Sequence, residues 1–199
     1  MTDEKQLGQT DVWLIRHGET EWSTLGRHTG LTDLPLTPKG EREAASLRDR
    51  LAAVPFDLVL SSPLRRAHHT AELAGFGDAE VVGDLVEWNY GDYEGKTSAE
   101  IRAGNPGWNL FRDGCPGGES PAAVAQRADR LAAKLKALTG NMLCVAHGHI
   151  LRVLGARWVG APVTFAGCLL LGTAALCILS FDHGEPDEPA IKLWNSTEY

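Results

Sequence analysis

Residues 12–19 read Val12-Trp13-Leu14-Ile15-Arg16-His17-Gly18-Glu19. The apolar half is the pattern of a short strand buried on both faces, and the polar half begins where such a strand gives way to a loop. A second His-Gly pair, His147-Gly148, follows another apolar run, Met142 to Ala146. In open α/β folds ligands bind outside the carboxyl ends of the strands. Two strands that each end in His-Gly therefore bring two imidazoles to one pocket, and two imidazoles among arginines suit a dianionic phosphoryl group.

Patterns of strand and helix alternate outward from these runs. Thr37-Pro38 is an N-cap with proline at the first helical position, and the helix it opens runs to about Ala53. Phe56 to Ser61 reads as a strand, and Ser62-Pro63 as the cap of a helix ending near Ala74. Glu80 to Val82 is a weaker strand. Thr97 with Glu100 three residues on forms a capping box, and Ser120-Pro121 opens a long helix with Val124, Ala128, Leu131, Leu135 and Leu138 at helical spacing. A helix over Ile150 to Val159 follows the second His-Gly pair, and Leu169 to Leu171, Leu176 to Phe181 and Ala190 to Trp194 close the chain as strands. This alternation predicts a three-layer α/β/α sandwich with a mostly parallel sheet. The 199 residues form one domain, 1–199, with the Gly-, Pro- and Trp-rich segment 102–119 as a loop over the site.

The composition limits the partners. Apolar residues make up 43% and charged residues 23%, as in an ordinary globular protein. The net charge of −7 argues against nucleic acid or an anionic membrane surface as partner, so an anionic ligand must be drawn by a local basic pocket. Cys115, Cys144, Cys168 and Cys177 form no Cys-x-x-Cys pair and read as reduced thiols of a cytoplasmic protein. Met1 to Thr10 has no apolar signal core, and the Cys168 to Phe181 run is too short and too interrupted for a membrane span. The oligomeric state is not written in the sequence; a homodimer is compatible with it.

Phosphoryl transfer needs a nucleophile, positive charge on the equatorial oxygens and a proton for the departing oxygen. His17 is the candidate nucleophile, because a neutral imidazole nitrogen attacks phosphorus to give a phosphohistidine. Arg16, Arg66 and His147 are candidates for the charge clamp, since guanidinium forks match phosphate geometry. Glu87 is the candidate general acid, protonated when substrate is bound. No carboxylate cluster stands at ligand spacing beside the histidine pair, so no metal is assigned. His149 reads as a packing or capping residue more readily than a catalytic one. For Trp88, Trp108 and Phe111, lining the leaving-group pocket and packing a loop on the sheet are equally good readings.

At these residues the chain resembles the histidine phosphatase, or phosphoglycerate mutase-like, superfamily. The resemblance rests on four blocks in order: Leu14 to Thr20; Ser61-Ser62-Pro63-Leu64-Arg65-Arg66-Ala67 with Thr70; Leu85-Val86-Glu87-Trp88 leading into Tyr90 to Gly95; and Val145-Ala146-His147-Gly148-His149. It implies that His17 is phosphorylated, that Arg16, Arg66 and His147 complete the phosphate pocket, that Glu87 donates the proton, and that no cofactor or metal is required. It also implies substrate contacts from Thr29-Gly30, from Gly148 and from Arg152, the last toward a distal phosphate or hydroxyl. Ser23 stands where many members carry Asn, so that contact is not carried over.

Mutases of the family hold a second phosphate with extra basic residues. Here Ser98 stands where they tend to place Lys, and the loop from Arg102 to Glu119 lacks their paired arginines. The resemblance thus implies a metal-independent phosphomonoesterase acting on a small phosphorylated metabolite such as a sugar phosphate. Gly117-Gly118-Glu119-Ser120 resembles a segment common among the family's phosphatases, and Glu87-Trp88, Trp108-Asn109 with Arg112 to Cys115, and His147-Gly148-His149 with Leu151-Arg152 resemble the acid phosphatase/sedoheptulose-1,7-bisphosphatase-like branch. A cofactor-dependent mutase and a non-catalytic phosphate-binding module are the alternatives.

Overall fold

A computed structural model describes residues 10–197. Along the chain run β1 (Thr10–Arg16), α1 (Glu21–Thr24), α2 (Pro38–Leu51), β2 (Leu58–Ser61), α3 (Arg65–Leu73), β3 (Glu80–Val81), α4 (Ser98–Gly104), α5 (Leu110–Asp113), α6 (Pro121–Lys136), β4 (Gly140–Ala146), α7 (Gly148–Trp158), β5 (Leu176–Phe181) and β6 (Pro189–Ser196). The strands form one mixed sheet in the order β3-β2-β4-β1-β5-β6. The β3-β2, β2-β4 and β4-β1 pairs are parallel, and the β1-β5 and β5-β6 pairs antiparallel.

The near-continuous apolar strands are explained by burial on both faces. Val12, Leu14, Leu60, Met142, Cys144, Cys177 and Leu179 pack in one core with Leu131, Leu135, Leu151 and Leu154 of α6 and α7. Their alternating neighbours, Ile15, Leu143, Val145, Leu176 and Ile178, pack with Leu47, Leu51 and Ala71 of α2 and α3. The period of two in the strands therefore divides the side chains between two helical layers.

The caps at Thr37, Thr97 and Ser120 form as read: their side chains accept from the backbone N–H of Gly40, Glu100 and Ala123, and Thr97 and Glu100 close the capping box. Two readings are corrected. Ser62-Pro63 does not cap α3. That helix starts at Arg65 with Leu64 at the N-cap, and Asp33 Oδ1 accepts the Arg65 N–H at 2.8 Å instead. Ser62 is diverted because its hydroxyl pairs with His147. Leu169 to Leu171 is not a strand: a 3₁₀ turn, Val163–Cys168, runs into irregular backbone. There Leu170 is exposed, and the Leu171 carbonyl accepts from Arg16 Nη1 at 2.6 Å, so it serves the pocket rather than a ladder. Segment 102–119 also holds more than loop, since it contains the end of α4 and the whole of α5. The four cysteines are free thiols. Among the described residues no helix is long and apolar enough to cross a membrane.

Register positions the site. Arg16 pairs with Ala146, and Ser61 with Val145, so three adjacent parallel strands end almost level. The next residues are His17, His147 and Ser62. The turn after β1 then passes very close to α2: a Cβ on Gly18 would lie 2.3 Å from the Gly40 carbonyl oxygen, and one on Gly40 2.1 Å from that of Glu19. Only glycine at both positions lets the first turn of α2 back the loop that carries His17.

Candidate active site

His17 and His147 face one another with ring centroids 5.3 Å apart. The His17 Nδ1 lies 2.7 Å from the Gly18 carbonyl oxygen. A carbonyl only accepts, so Nδ1 carries the proton and Nε2 keeps its lone pair. The Gly18 N–H in turn donates to Thr70 Oγ1, which donates to the Arg66 carbonyl, tying the loop to α3. His147 is fixed in the opposite tautomer: Arg66 Nε–H donates to its Nδ1 at 3.1 Å, and Nε2 then donates to Ser62 Oγ at 2.7 Å.

Arg66 is fully buried and does more than face the rings. Its Nη1 donates to the Thr32 carbonyl and its Nη2 to those of Thr29 and Gly30. Glu94 holds the opposite polarity of the same loop, accepting from the N–H of Gly30 and Thr32. Loop 29–32 is thus fixed through its main chain from both sides.

Arg16 donates one Nη1 hydrogen to Leu171, and its Nε is buried with no hydrogen-bonding partner among the described residues. Gly148 allows this: a Cβ there would sit 3.4 Å from Arg16 Nε. Glu87 is buried at the N-terminus of α7. Its Oε1 accepts from the N–H of Trp88 and Ile150, and its Oε2 from that of His149 at 2.9 Å. Both lone pairs of Oε1 are used, whereas Oε2 keeps one for a proton.

These groups border a cavity of about 330 Å³ lined by Arg16, His17, Thr29, Glu87, Gly148 and Arg152, with His28, Tyr90 and His149 among its other walls. Gly30 does not line it; its main chain is consumed by Arg66 and Glu94. Arg66 and His147 do not line it either: both are fully buried and hydrogen-bonded to each other. Arg152 lies over the Phe111 ring at 4.7 Å, with Nε and Nη2 on the carbonyls of Ala166 and Gly167. Trp108 and Phe111 are buried, and stack against His28 and His149 respectively.

The sequence reading missed the second ring of partners: Ser62, Glu94 and Tyr90, whose hydroxyl bonds His149 Nδ1. Tyr90 stands inside a quoted block, but nothing in the sequence tells that its hydroxyl meets a residue 59 positions away.

The imidazoles around the cavity all sit below the ordinary value of 6.5. Burial is the first cause for each. Arg16 and Arg66 add to it at His17, Arg66 at His147, and Arg152 at His149; His28, beside Arg102, is lowered to about 4. His17 is therefore neutral and nucleophilic at neutral pH. Below about pH 6.5 the unfolded chain binds more protons at these rings than the folded chain does, so stability present above that pH is lost as pH falls toward the folded values. The urea midpoint is expected to drop between about pH 7 and pH 5. An unchanged midpoint would mean that the rings protonate in place.

A family model described as the histidine phosphatase superfamily (branch 1) matches residues 12–197. The chain belongs to that family. An acid phosphatase of Mycobacterium tuberculosis is 44% identical over 175 residues, with 86% of each chain covered. The sedoheptulose 1,7-bisphosphatase of Saccharomyces cerevisiae is 31% identical over an alignment of 245 positions, with 90% of each covered. A solved structure of a Mycobacterium tuberculosis open reading frame superposes with a TM-score of 0.89 at 40% identity, covering 95% of this chain and 99% of the other. This histidine phosphatase therefore shares the phosphoglycerate mutase-like α/β fold and is an enzyme of the phosphomonoesterase class.

Proposed function

We propose that this histidine phosphatase hydrolyses small, multiply anionic phosphomonoesters, sugar phosphates among them, in two steps through a phosphohistidine at His17. One observation carries the reading. His17 Nε2 keeps its lone pair in a cavity that Arg16 also lines, and the buried Arg16 Nε–H has no acceptor among the described residues. A nucleophile and an unmatched cationic donor in one cavity fit a phosphoryl group.

In the first step His17 Nε2 attacks phosphorus, the P–O ester bond breaks, and the proton on Glu87 Oε2 passes to the leaving oxygen. In the second step water attacks phosphorus, the P–N bond breaks, and Glu87 takes the water proton. Arg16 contacts the transferred oxygens directly. Arg66 fixes the tautomer of His147, whose Nε2–H turns from Ser62 to the phosphoryl group. Among the described residues the one cluster spaced for a metal, Asp182, His183 and Glu188, is exposed, and none of its members lines the cavity.

Arg152 supports the substrate class. Two of its nitrogens are anchored on carbonyls, and Nη1 is left to meet a second anionic group or a hydroxyl of the leaving alcohol. The acid phosphatase and sedoheptulose 1,7-bisphosphatase relatives agree with such a substrate. The test is a panel of sugar monophosphates, sugar bisphosphates and simple alkyl phosphates, followed by free phosphate release. Arg152→Gln is expected to lower kcat/KM about 10-fold for the bisphosphates, the loss of roughly one charge-assisted contact, and to leave the simple alkyl esters unchanged. Equal effects on both would remove Arg152 from recognition.

A further inference from the structure

Glu87 sits on backbone that belongs to no long element. The chain runs from a 3₁₀ turn at Gly83–Leu85 through Glu87 to a second at Gly91–Tyr93. Such a stretch has carbonyls and amides that secondary structure does not satisfy, and its course depends on what meets them. Four of them meet two side chains. Arg127, on α6, donates from Nη1 to the carbonyls of Asp84 (2.8 Å) and Val86 (2.7 Å), and from Nη2 to that of Glu87 (3.5 Å). The rest of the same guanidinium forks onto Glu119, Nε to Oε1 and Nη2 to Oε2, both at 2.9 Å. Glu119 Oε2 also accepts the Asn89 N–H at 2.9 Å. The Glu119 main chain donates to the Asn89 carbonyl and accepts from the Trp88 indole. The two side chains are only 13% and 23% exposed, so this is an interior pair with most of its capacity engaged.

We propose that Arg127, held by Glu119, is a positioning residue for the acid–base group: it sets where the Glu87 carboxyl stands relative to the leaving oxygen. The inference rests on the acid role given to Glu87 above. Arg127 itself does not line the cavity, so it touches neither substrate nor the reacting atoms. Its contacts toward the chemistry run through the 84–89 backbone; beside them stands only a minor through-space effect of its charge on His147, which a lysine would keep. Proton transfer is sensitive to position, and it matters most when the leaving group is basic. Displacing Glu87 must therefore be felt with alkyl phosphates, whose alkoxide needs a proton. It must be felt little with an aryl phosphate such as p-nitrophenyl phosphate, whose phenolate departs without one.

The test uses Arg127→Lys, which keeps the charge but cannot span three carbonyls and a carboxylate. Arg127→Met and Glu119→Gln serve as second variants, each checked for folding by circular dichroism. The expected result is a fall in kcat/KM of about 10-fold or more for glycerol phosphate and a change below about 3-fold for p-nitrophenyl phosphate, since kcat/KM reports the first step and not the dephosphorylation common to both esters. On a Glu87→Gln background the same substitution is expected to cost nothing more, because the two act through one step. Equal losses on the two esters, or a loss that persists on the Glu87→Gln background, would reduce Arg127 to a structural residue and overturn the proposal. So would unchanged kinetics in all folded variants. Glu87→Gln alone separates the two claims. If it shows the leaving-group dependence and Arg127→Lys does not, only the positioning role fails. If it shows none, the acid assignment itself fails.

Discussion

His17→Ala is expected to abolish turnover, lowering kcat by at least about 10⁴-fold for every ester, aryl and alkyl alike. The facing imidazole of His147 is not poised to take over as nucleophile. The His147 Nδ1 accepts from Arg66 and its Nε2 faces Ser62, so neither nitrogen offers a lone pair toward the cavity. His149 uses its Nδ1 on Tyr90. The loss should be independent of leaving group, because the attack on phosphorus is gone rather than the proton. Rapid quench of the wild-type enzyme with a ³²P-labelled ester should trap an acid-labile, base-stable label that maps to residue 17 and is absent from the variant. A variant that keeps more than a few per cent of the wild-type rate, or a label elsewhere, would refute the nucleophile assignment. Phosphate binding itself should survive the substitution, since the Arg16 guanidinium remains.

Glu87→Gln is expected to produce the opposite signature. The amide keeps the shape and its oxygen can accept from the Trp88 and Ile150 N–H groups, but its NH2 faces the His149 N–H and it cannot deliver a proton. Alkyl phosphates should lose about 10²–10⁴-fold in kcat, with p-nitrophenyl phosphate losing much less in the first step. With the aryl ester the second step should become limiting, because water then lacks its base, so a burst of phenolate ahead of steady release is expected in stopped-flow traces. A uniform loss across both esters would instead assign Glu87 to holding the helix terminus. The distinction is real here, because the three N–H donors around the carboxyl make that structural role a physical competitor.

The strands that carry the chemistry were legible because both of their faces are apolar and both end in His-Gly; their register and neighbours then follow from packing. The same logic misread Leu169 to Leu171, where three leucines suggested a ladder. One of them is exposed, and the carbonyl of another is claimed by an arginine 155 positions away. Ser62 failed for a related reason. Its local sequence is a good cap, but the hydroxyl is worth more to a buried imidazole than to the start of α3. Among site residues, those whose chemistry is intrinsic could be named from type and spacing: an imidazole, a guanidinium, a carboxyl. Glu94, Arg127 and Glu119 could not. Their side chains act on the main chain of distant segments, and backbone carries no residue-type signal in a one-dimensional string.

The level ends of β1 and β4 have a consequence for how this protein can change. His17 and His147 occupy the same rung, one step past Arg16 and Ala146, and they reach it only because each strand counts the same number of residues from a shared pairing. Adding or deleting one residue within either strand would swing its imidazole to the far side of the sheet, among the leucines of the wrong layer. The surrounding loops carry no such arithmetic. Length variation is therefore confined to the loops that shape what the enzyme recognises, while the two strands behave as a fixed ruler.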